Sequence, residues 1–323
     1  MMELDLSEPR PNWIDPLRDD VKHWAGRGVF FGGSSWKYEG WVGQIYSASR
    51  YQTRGKFSLR KFETTCLEEY AAFYPFVSGD FSFYTFYGDK YWAELFSHVP
   101  PTFQFGFKVP ERITTPSFPK HPRYGQYGGQ QNQNFLDAEL FIREFVDRLT
   151  PYRKHVGYLV FEFPQFHGKD FQPDEFLTRL DRFLGALPKS MPYSIELRTK
   201  KLLTVEYLAI LKKYNVAHCF NSWTRMPSVG EQLDLKPFTA DFATARLLLR
   251  PGRTYEQAVT MFQPYSEHRD PFPEGYRDTA RMISQIKDNL PNSRIYVSVN
   301  NRYAGNTHYA IAGIIDELRG SRT

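Results

Sequence analysis

Three charged residues lie inside segments of the sequence that are otherwise apolar: Lys108, Glu196 and Arg246. Burying a charged side chain costs a large free energy unless other charges or hydrogen bonds compensate it. Burial and a neighbouring charge shift the pKa of a carboxyl group, which is what general acid/base catalysis requires. We therefore predict that Glu196 is a catalytic acid/base and that Lys108 and Arg246 are electrostatic stabilisers. A structural ion pair, or a site that only binds a ligand, would use the same residues.

A second group of candidates consists of aromatic and polar side chains next to predicted strand ends. Aromatic faces stack on flat or sugar-like ligands and, with arginine and lysine nearby, on nucleotides or single-stranded nucleic acid. The alternative is that these rings only pack the end of the fold. The segment Asn300-Asn301-Arg302 directly follows the last predicted strand, and its amides and guanidinium group can bind a phosphate or carboxylate group. The alternative is that the two asparagines cap the turn and helix that follow. The candidate ligand-binding residues are Ser35, Trp36, Tyr38, Trp41, Tyr84, Arg198, Arg253, Asn300 and Asn301.

The sequence gives little support for a metal site, and no cofactor is predicted. Its eight histidines are scattered and form neither an H-x-H nor an H-E-x-x-H pair. Near strand ends, only His167, Glu162 and Glu196 are plausible ligands. The sequence also has no G-x-S-x-G motif and no glycine-rich phosphate loop after the first predicted strand.

Eight predicted strands must position these candidates. Apolar or alternating runs predict the strands, and helical spacing of apolar residues follows them along the chain. This alternation predicts βαβ units and a parallel sheet. Eight units favour a closed (β/α)₈ TIM barrel with long βα loops over an open doubly wound sheet, and the candidates would then meet at the C-terminal ends of the strands. The predicted strands are 29–33, 81–86, 103–108, 157–163, 193–197, 216–220, 245–249 and 294–299.

The chain is predicted to contain one large domain. Residues 1–27 carry prolines among charges and are predicted to be an arm that packs over the bottom of the barrel or frays. Residues 28–320 form the predicted barrel. The loop 115–134 is long for a compact domain, which indicates a functional or mobile segment.

Composition sets limits on the partners and on the location of the protein. The 323 residues carry a net charge of +5, which tolerates an anionic partner without demonstrating one. No apolar run is long enough to cross a membrane, and no secretory signal is predicted. Cys66 and Cys219 are expected to be buried free thiols, so a reducing cytoplasm is predicted.

Several ordered motifs resemble the domain-of-unknown-function 72 (DUF72, YecE-like) family, whose known folds are TIM barrels. The resemblance extends from about Val29 to Leu318 and includes the turn that follows the first predicted strand. The matching residues are Gly32-Gly33-Ser34-Ser35-Trp36, Tyr38, Trp41, Phe83-Tyr84, Phe103, Phe105, Lys108, Pro110, Ile113, Thr114, Glu196-Leu197-Arg198, Arg246, Gly252-Arg253, Asn300, Asn301 and Gly305.

The sequence departs from the family pattern at positions where the family has an asparagine, a His-Trp pair and a histidine. Ser82, Thr199, Lys200 and Leu248 stand at or near these positions. The resemblance therefore implies a divergent TIM barrel without an established activity. We expect a small anionic ligand, phosphorylated or nucleotide-like, to bind at the C-terminal face, either in a metal-independent acid/base enzyme or in a barrel that binds nucleic acid without catalysis.

Overall fold

A closed barrel of eight parallel strands forms the centre of the computed structural model, which describes residues 10–166 and 172–320. Each strand pairs with its neighbours in sequence, and the first pairs with the last, so the sheet has no open edge. The prediction of a (β/α)₈ barrel is confirmed. The strands are β1 Val29–Gly33, β2 Phe76–Gly79, β3 Gln104–Lys108, β4 Val156–Phe163, β5 Tyr193–Leu197, β6 Ala217–Ser222, β7 Phe242–Leu247 and β8 Arg294–Val299.

Amphipathic helices surround the barrel and direct their apolar residues towards it. A π-helical segment, Ile142–Val146, interrupts the helical region after β3, and a short antiparallel hairpin joins Gln52–Thr53 to Lys56–Phe57. Within the described residues, no helix is both long enough and apolar enough to cross a membrane. The helices are α1 Ile14–Gly26, α2 Leu59–Phe73, α3 Asp89–Ser97, α4 Glu111–Thr114, α5 Ala138–Phe141, α6 Asp147–Leu149, α7 Pro173–Ala186, α8 Val205–Lys213, α9 Val229–Asp234, α10 Tyr255–Phe262, α11 Pro273–Asn289 and α12 Thr307–Gly320.

The predicted position of the second strand is wrong. The second strand of the barrel is β2, Phe76–Gly79, whereas the predicted segment 81–86 begins with the 3₁₀ turn Phe81–Phe83. The alternation of this segment has another cause: the Phe81 ring packs edge-on to Phe107, while the Ser82 hydroxyl donates to the Lys108 carbonyl at 2.7 Å. The seventh strand also begins three residues earlier than predicted.

Part of the predicted N-terminal arm is helical. Ile14, Leu17, Val21 and Trp24 are buried at helical spacing on α1, which contacts β1 and α12. Apolar residues three or four positions apart are the ordinary signal of such a helix. Residues 1–9 lie outside the described part of the chain.

Alternate residues of each strand face the interior of the barrel, where aromatic rings fill the lower part. Tyr158 on β4 lies over Gly106 on β3, and its hydroxyl donates to Ser78 Oγ at 3.0 Å. A Cβ atom on Gly106 would lie 2.3 Å from Cζ of this ring, so only glycine leaves room for Tyr158. The Tyr158 ring also packs edge-on to Tyr296, with 5.6 Å between the ring centroids.

We predict that Gly106→Ala lowers the free energy of unfolding by about 1–3 kcal/mol, because Tyr158 is fully buried and must move to accept the methyl group. Urea titration followed by circular dichroism measures the change. Gly26→Ala, where an added Cβ meets nothing within 4 Å, is the control and should leave stability unchanged or slightly raised. Equal effects of the two substitutions would contradict the packing described here.

Candidate active site at the C-terminal end of the barrel

Six charged side chains form a continuous series of ion pairs at the C-terminal end of the barrel. We call this set the ion-pair network: Asp80, Lys108, Glu162, Glu196, Arg198 and Arg246. The pairs are Lys108 Nζ to Glu162 Oε2 at 2.6 Å, Arg198 Nη2 to Glu162 Oε2 at 2.5 Å, Arg198 Nε to Glu196 Oε1 at 3.1 Å, Arg246 Nε to Glu196 Oε2 at 2.6 Å and Arg246 Nη2 to Asp80 Oδ1 at 2.8 Å.

Strand register brings these residues to one level of the barrel. Glu162 on β4 pairs in register with Glu196 on β5, so the two carboxylates lie side by side. Arg198 follows Glu196 by two residues and therefore lies one step nearer the open end on the same face. Lys108 is the last residue of β3, and Asp80 directly follows β2. The sequence prediction that Lys108, Glu196 and Arg246 share a site is consistent with these contacts, whereas their catalytic roles remain predictions.

Arg246 is the most deeply buried cation of the network. Its side chain is 1% exposed, and besides the two carboxylates it donates from Nη1 to Ser78 Oγ at 2.6 Å. Burial acts to lower the pKa of Arg246, but the charges of Asp80 and Glu196 outweigh it, so the pKa lies well above its usual range. The guanidinium group is therefore charged at any pH at which the protein is folded.

Two carboxylates of the network are held in the ionised form. Burial alone would raise the pKa of Glu162, but the charges of Arg198 and Lys108 lower it below its ordinary value. Burial likewise opposes ionisation of Asp80, and Arg246 and Lys108 lower its pKa. Three cations and three carboxylates then balance, so the network is formally neutral.

Exposure differs strongly along the network. The Glu196 side chain is 0% exposed and both of its oxygens face guanidinium groups, while Asp80 is 38% exposed. The approach of Arg246 Nε to Glu196 Oε2 is close but is not aligned as a hydrogen bond, so Oε2 accepts none from the described residues. A ligand entering from solvent therefore reaches Asp80 before it reaches Glu196.

Aromatic rings cover two of the cations. Lys108 Nζ lies 3.6 Å from the centroid of the Phe83 ring, and the Arg198 guanidinium lies 3.9 Å from the Trp223 ring. Such cation–π contacts stabilise the charges and restrict the access of water to one side of each group. Trp223 thus belongs to the wall of the site.

The aromatic candidates after β1 have different roles. Trp36 is 6% exposed and packs edge-on to Phe81, while Trp41 is fully buried against Tyr38 and Tyr70, so these two tryptophans pack the fold. Tyr38 and Ser35 are each half-buried and remain accessible. The two tryptophans therefore fit the alternative stated above, in which the aromatic rings pack the end of the barrel.

The two asparagines after β8 are fixed by hydrogen bonds within the protein. Asn300 Nδ2 donates to Ser34 Oγ at 2.5 Å, and its Oδ1 accepts from the Arg302 backbone at 2.9 Å. Asn301 Oδ1 accepts from the backbone N–H of Thr307, where α12 begins, at 2.8 Å. Asn301 therefore caps a helix, whereas Asn300 links the loops after β1 and β8.

The remaining arginine candidate, Arg253, belongs to a cluster in the loops after β7 and β8. Arg250 Nη1 lies 3.0 Å from Asp270 Oδ1, and Arg253 is paired with the same carboxylate. Arg302, after β8, lies with its guanidinium 4.7 Å from the Tyr255 ring at the start of α10. The loop that carries Arg302 lies beside the ion pairs of Asp270, since the Asp270 backbone N–H donates to the Ala304 carbonyl at 3.3 Å. We call Arg250, Arg253 and Asp270, together with Arg302, the arginine cluster. Tyr84 is 57% exposed and lines a separate cavity, to which no residue of the ion-pair network contributes.

Four residues of this region are absent from the predicted set of site residues. Asp80 and Ser78 were not predicted because the second strand was placed too late, so the residues at its true end were not considered. Glu162 and Arg302 were recognised at the ends of the fourth and eighth predicted strands, but neither was chosen as a catalytic or ligand-binding candidate. The apolar run that ends at Gly79, followed at once by Asp80, is the signal that could have found two of them.

Metal-ligating side chains do not gather in this part of the chain. Among the described residues, no group of three or more His, Cys, Asp and Glu side chains could hold a metal ion, and His167 lies outside those residues. His218 is buried in contact with Tyr207 and Gln232, and burial lowers its pKa to about 4, so it is neutral under ordinary conditions. We assign His218 a structural role.

We predict that Arg246→Met lowers the free energy of unfolding by about 3–5 kcal/mol, because Glu196 and Asp80 lose their shared partner inside the protein. Lys213→Met, which removes an exposed pair with Asp181, is the control and should cost less than about 1 kcal/mol. Chemical denaturation near neutral pH measures both. Comparable small effects would show that the network does not depend on Arg246.

A pH dependence follows from the lowered pKa of Glu162. Because the folded state binds this proton more weakly than the unfolded state, the stabilisation is complete above the unfolded pKa, about 4.3, and is lost as the pH falls through the folded value. We expect Glu162→Gln to lose less stability than the wild type between about pH 5 and pH 3. Denaturation at several pH values measures the slopes, with Glu63→Gln, an exposed substitution, as the control. Parallel slopes for Glu162→Gln and the wild type would refute the expectation.

Comparisons with known proteins agree with the fold. A model of the family described as "protein of unknown function DUF72" matches residues 30–323. A DUF72 protein from Enterococcus faecalis superposes with a TM-score of 0.59 at 17% identity, covering 90% of this chain and 95% of its own. One from Thermotoga maritima gives 0.58 at 16% identity, covering 91% and 99%. A search of curated proteins finds no match. The chain belongs to the DUF72 family, whose function is unknown.

Proposed function

We propose that the protein binds a small anionic ligand, phosphorylated or nucleotide-like, between the ion-pair network and the arginine cluster. The observation that supports this most directly is the charge balance of the two groups. The network is neutral, whereas the arginine cluster has three guanidinium groups and one carboxylate, Asp270. Excess positive charge attracts anions, and the loops after the last two strands of such barrels commonly bind phosphate.

Tyr38 connects the two groups. Its hydroxyl lies within electrostatic reach of Arg302 and Asp80: burial raises the pKa of Tyr38, the charge of Arg302 lowers it, and that of Asp80 raises it. The phenol therefore stays protonated at neutral pH and can donate a hydrogen bond to a ligand oxygen. Ser34, held by Asn300, lies beside it.

The proposed chemistry is acid/base catalysis by the protein's own groups. Asp80, ionised and partly exposed, is the carboxylate in the best position to accept a proton from the ligand, and Lys108 and Arg198 would stabilise negative charge that develops there. Glu196 would hold the guanidinium groups of Arg198 and Arg246 in place. This assignment modifies the sequence-based hypothesis, in which Glu196 itself transfers the proton.

Nucleic-acid binding without catalysis remains the second hypothesis. It is less well supported because the six charges of the network pair with one another, which leaves fewer cations for a phosphate backbone. We also propose a cytoplasmic location, since Cys66 and Cys219 are buried free thiols and burial raises the pKa of each to about 12, which keeps them protonated. No membrane partner is proposed.

Isothermal titration calorimetry of the whole chain with inorganic phosphate, sugar phosphates and nucleoside monophosphates tests the proposal. We expect at least one of these probes to bind, and we expect Arg302→Met to weaken binding by about tenfold, or 1.4 kcal/mol. Arg319→Met removes an exposed arginine near the C-terminus and is the matched control. A bound probe is then followed for turnover in the wild type and in Asp80→Asn.

Absence of binding to every probe, or equal loss in the two arginine variants, would overturn the proposal. Retention of a single-stranded oligonucleotide with a steep dependence on salt, and no binding of the small probes, would favour the second hypothesis. Turnover that is unchanged in Asp80→Asn would exclude Asp80 as the proton acceptor.

A further inference from the structure

The long loop after β3 encloses a cavity of about 590 Å³ that none of the residues proposed above, apart from Tyr84, lines. Small-molecule sites in proteins typically have volumes of about 300–1,000 Å³. The cavity lies between the loop 115–134, the segment that follows β2 and the start of α4. Its position on the C-terminal side of β2 and β3 places it next to the ion-pair network.

Hydrogen bonds hold the walls of this cavity in one arrangement. Phe118 and Gln130 are joined by a backbone hydrogen bond of 3.0 Å, and Asn132 is buried. The Asn132 side chain donates to the carbonyls of Arg112 and Thr115, each at 2.7 Å. A loop that is ordered before binding loses little entropy when a ligand arrives. The long loop 115–134 therefore forms an ordered wall of the cavity.

An aromatic and charged cluster forms one side of the cavity. The Arg123 guanidinium lies between two rings, 4.5 Å from the centroid of Tyr84 and 4.7 Å from that of Tyr124. Glu111 compensates its charge, since Oε2 lies 3.4 Å from Arg123 Nη2 and accepts from the Tyr124 hydroxyl at 2.7 Å. Arg123 therefore orients the tyrosine rings instead of presenting a free charge.

The groups that remain accessible are rings and carboxamides. Tyr84 and Tyr127 are each 57% exposed, and Gln131 and Gln133 are exposed at the cavity. Arg112 donates from Nε to Asn134 Oδ1 at 2.8 Å and forms no ion pair with a described residue. Amide side chains both donate and accept hydrogen bonds, which matches the hydroxyl groups of a sugar, and aromatic rings pack against its C–H faces.

We propose that this cavity is a second ligand site and that it binds a carbohydrate, as a short oligosaccharide. A nucleic-acid strand is disfavoured, because it would need a row of cations along the cavity and only Arg112 lacks a carboxylate partner among the described residues. Exposed rings at Tyr84 and Tyr127 supply apolar faces, and the glutamines that line the same cavity supply hydrogen bonds. The site is separate from the anion site proposed above and does not depend on it.

The test uses the full chain on an array of immobilised neutral and acidic oligosaccharides, followed by calorimetry with the retained glycan, with adenosine monophosphate and with inorganic phosphate. We expect at least one glycan to be retained. The double variant Tyr84→Ala/Tyr127→Ala should weaken its binding at least tenfold, and both side chains are exposed enough to be removed without unfolding the protein. Phe57→Ala, another exposed aromatic substitution on the hairpin, should leave the affinity unchanged.

Three results would overturn the proposal: no glycan retained, a glycan whose binding the double variant does not weaken, or equal weakening by Phe57→Ala. Loss of adenosine monophosphate binding in the double variant, with no glycan retained, would identify the cavity as a nucleotide site instead. If the double variant still binds phosphate, the anion site is intact, and the loss of glycan binding then reports on this cavity alone.

Discussion

The interior of the barrel depends on how the charge of Arg246 is neutralised. A guanidinium group that is 1% exposed requires partners for its nitrogens, and it finds them in Glu196, Asp80 and Ser78. The contacts continue through Glu196, which binds Arg198, and Arg198 in turn binds Glu162. The upper half of the barrel is thus polar and fully connected, and removal of one member leaves a buried charge uncompensated.

The lower half of the barrel serves the same arrangement by packing. Tyr158 fills the space above Gly106 and donates to Ser78 Oγ, which also accepts from Arg246. The orientation of the arginine is therefore set by a hydroxyl group that is itself held by the aromatic layer below. An added Cβ at Gly106 would disturb the charged layer as well as the aromatic layer, because Ser78 belongs to both.

Sequence patterns predicted the fold well and the site in part. The closed barrel followed from strands and helices that alternate along the chain, and Lys108, Glu196 and Arg246 stood out because charge is rare in apolar strands. Asp80 was missed because the aromatic alternation at 81–86 imitates a strand more strongly than the short true strand does. Long-range contacts, such as that of Asn300 with Ser34, depend on how β1 pairs with β8. The periodicity of apolar residues within one segment carries no information about this pairing. The helix α1 could have been predicted from its apolar spacing.

The Arg246 side chain also links two strands that are not neighbours, across the interior of the barrel. It joins β7 to the residues at the end of β2, and these two strands are three positions apart around the sheet. The Arg246 side chain and its partners form a layer beneath the open end, which closes the interior below it to molecules from solvent. Under the function proposed above, selection among ligands would then depend on the loops at the rim, because the layer below them offers charges that are already paired with one another.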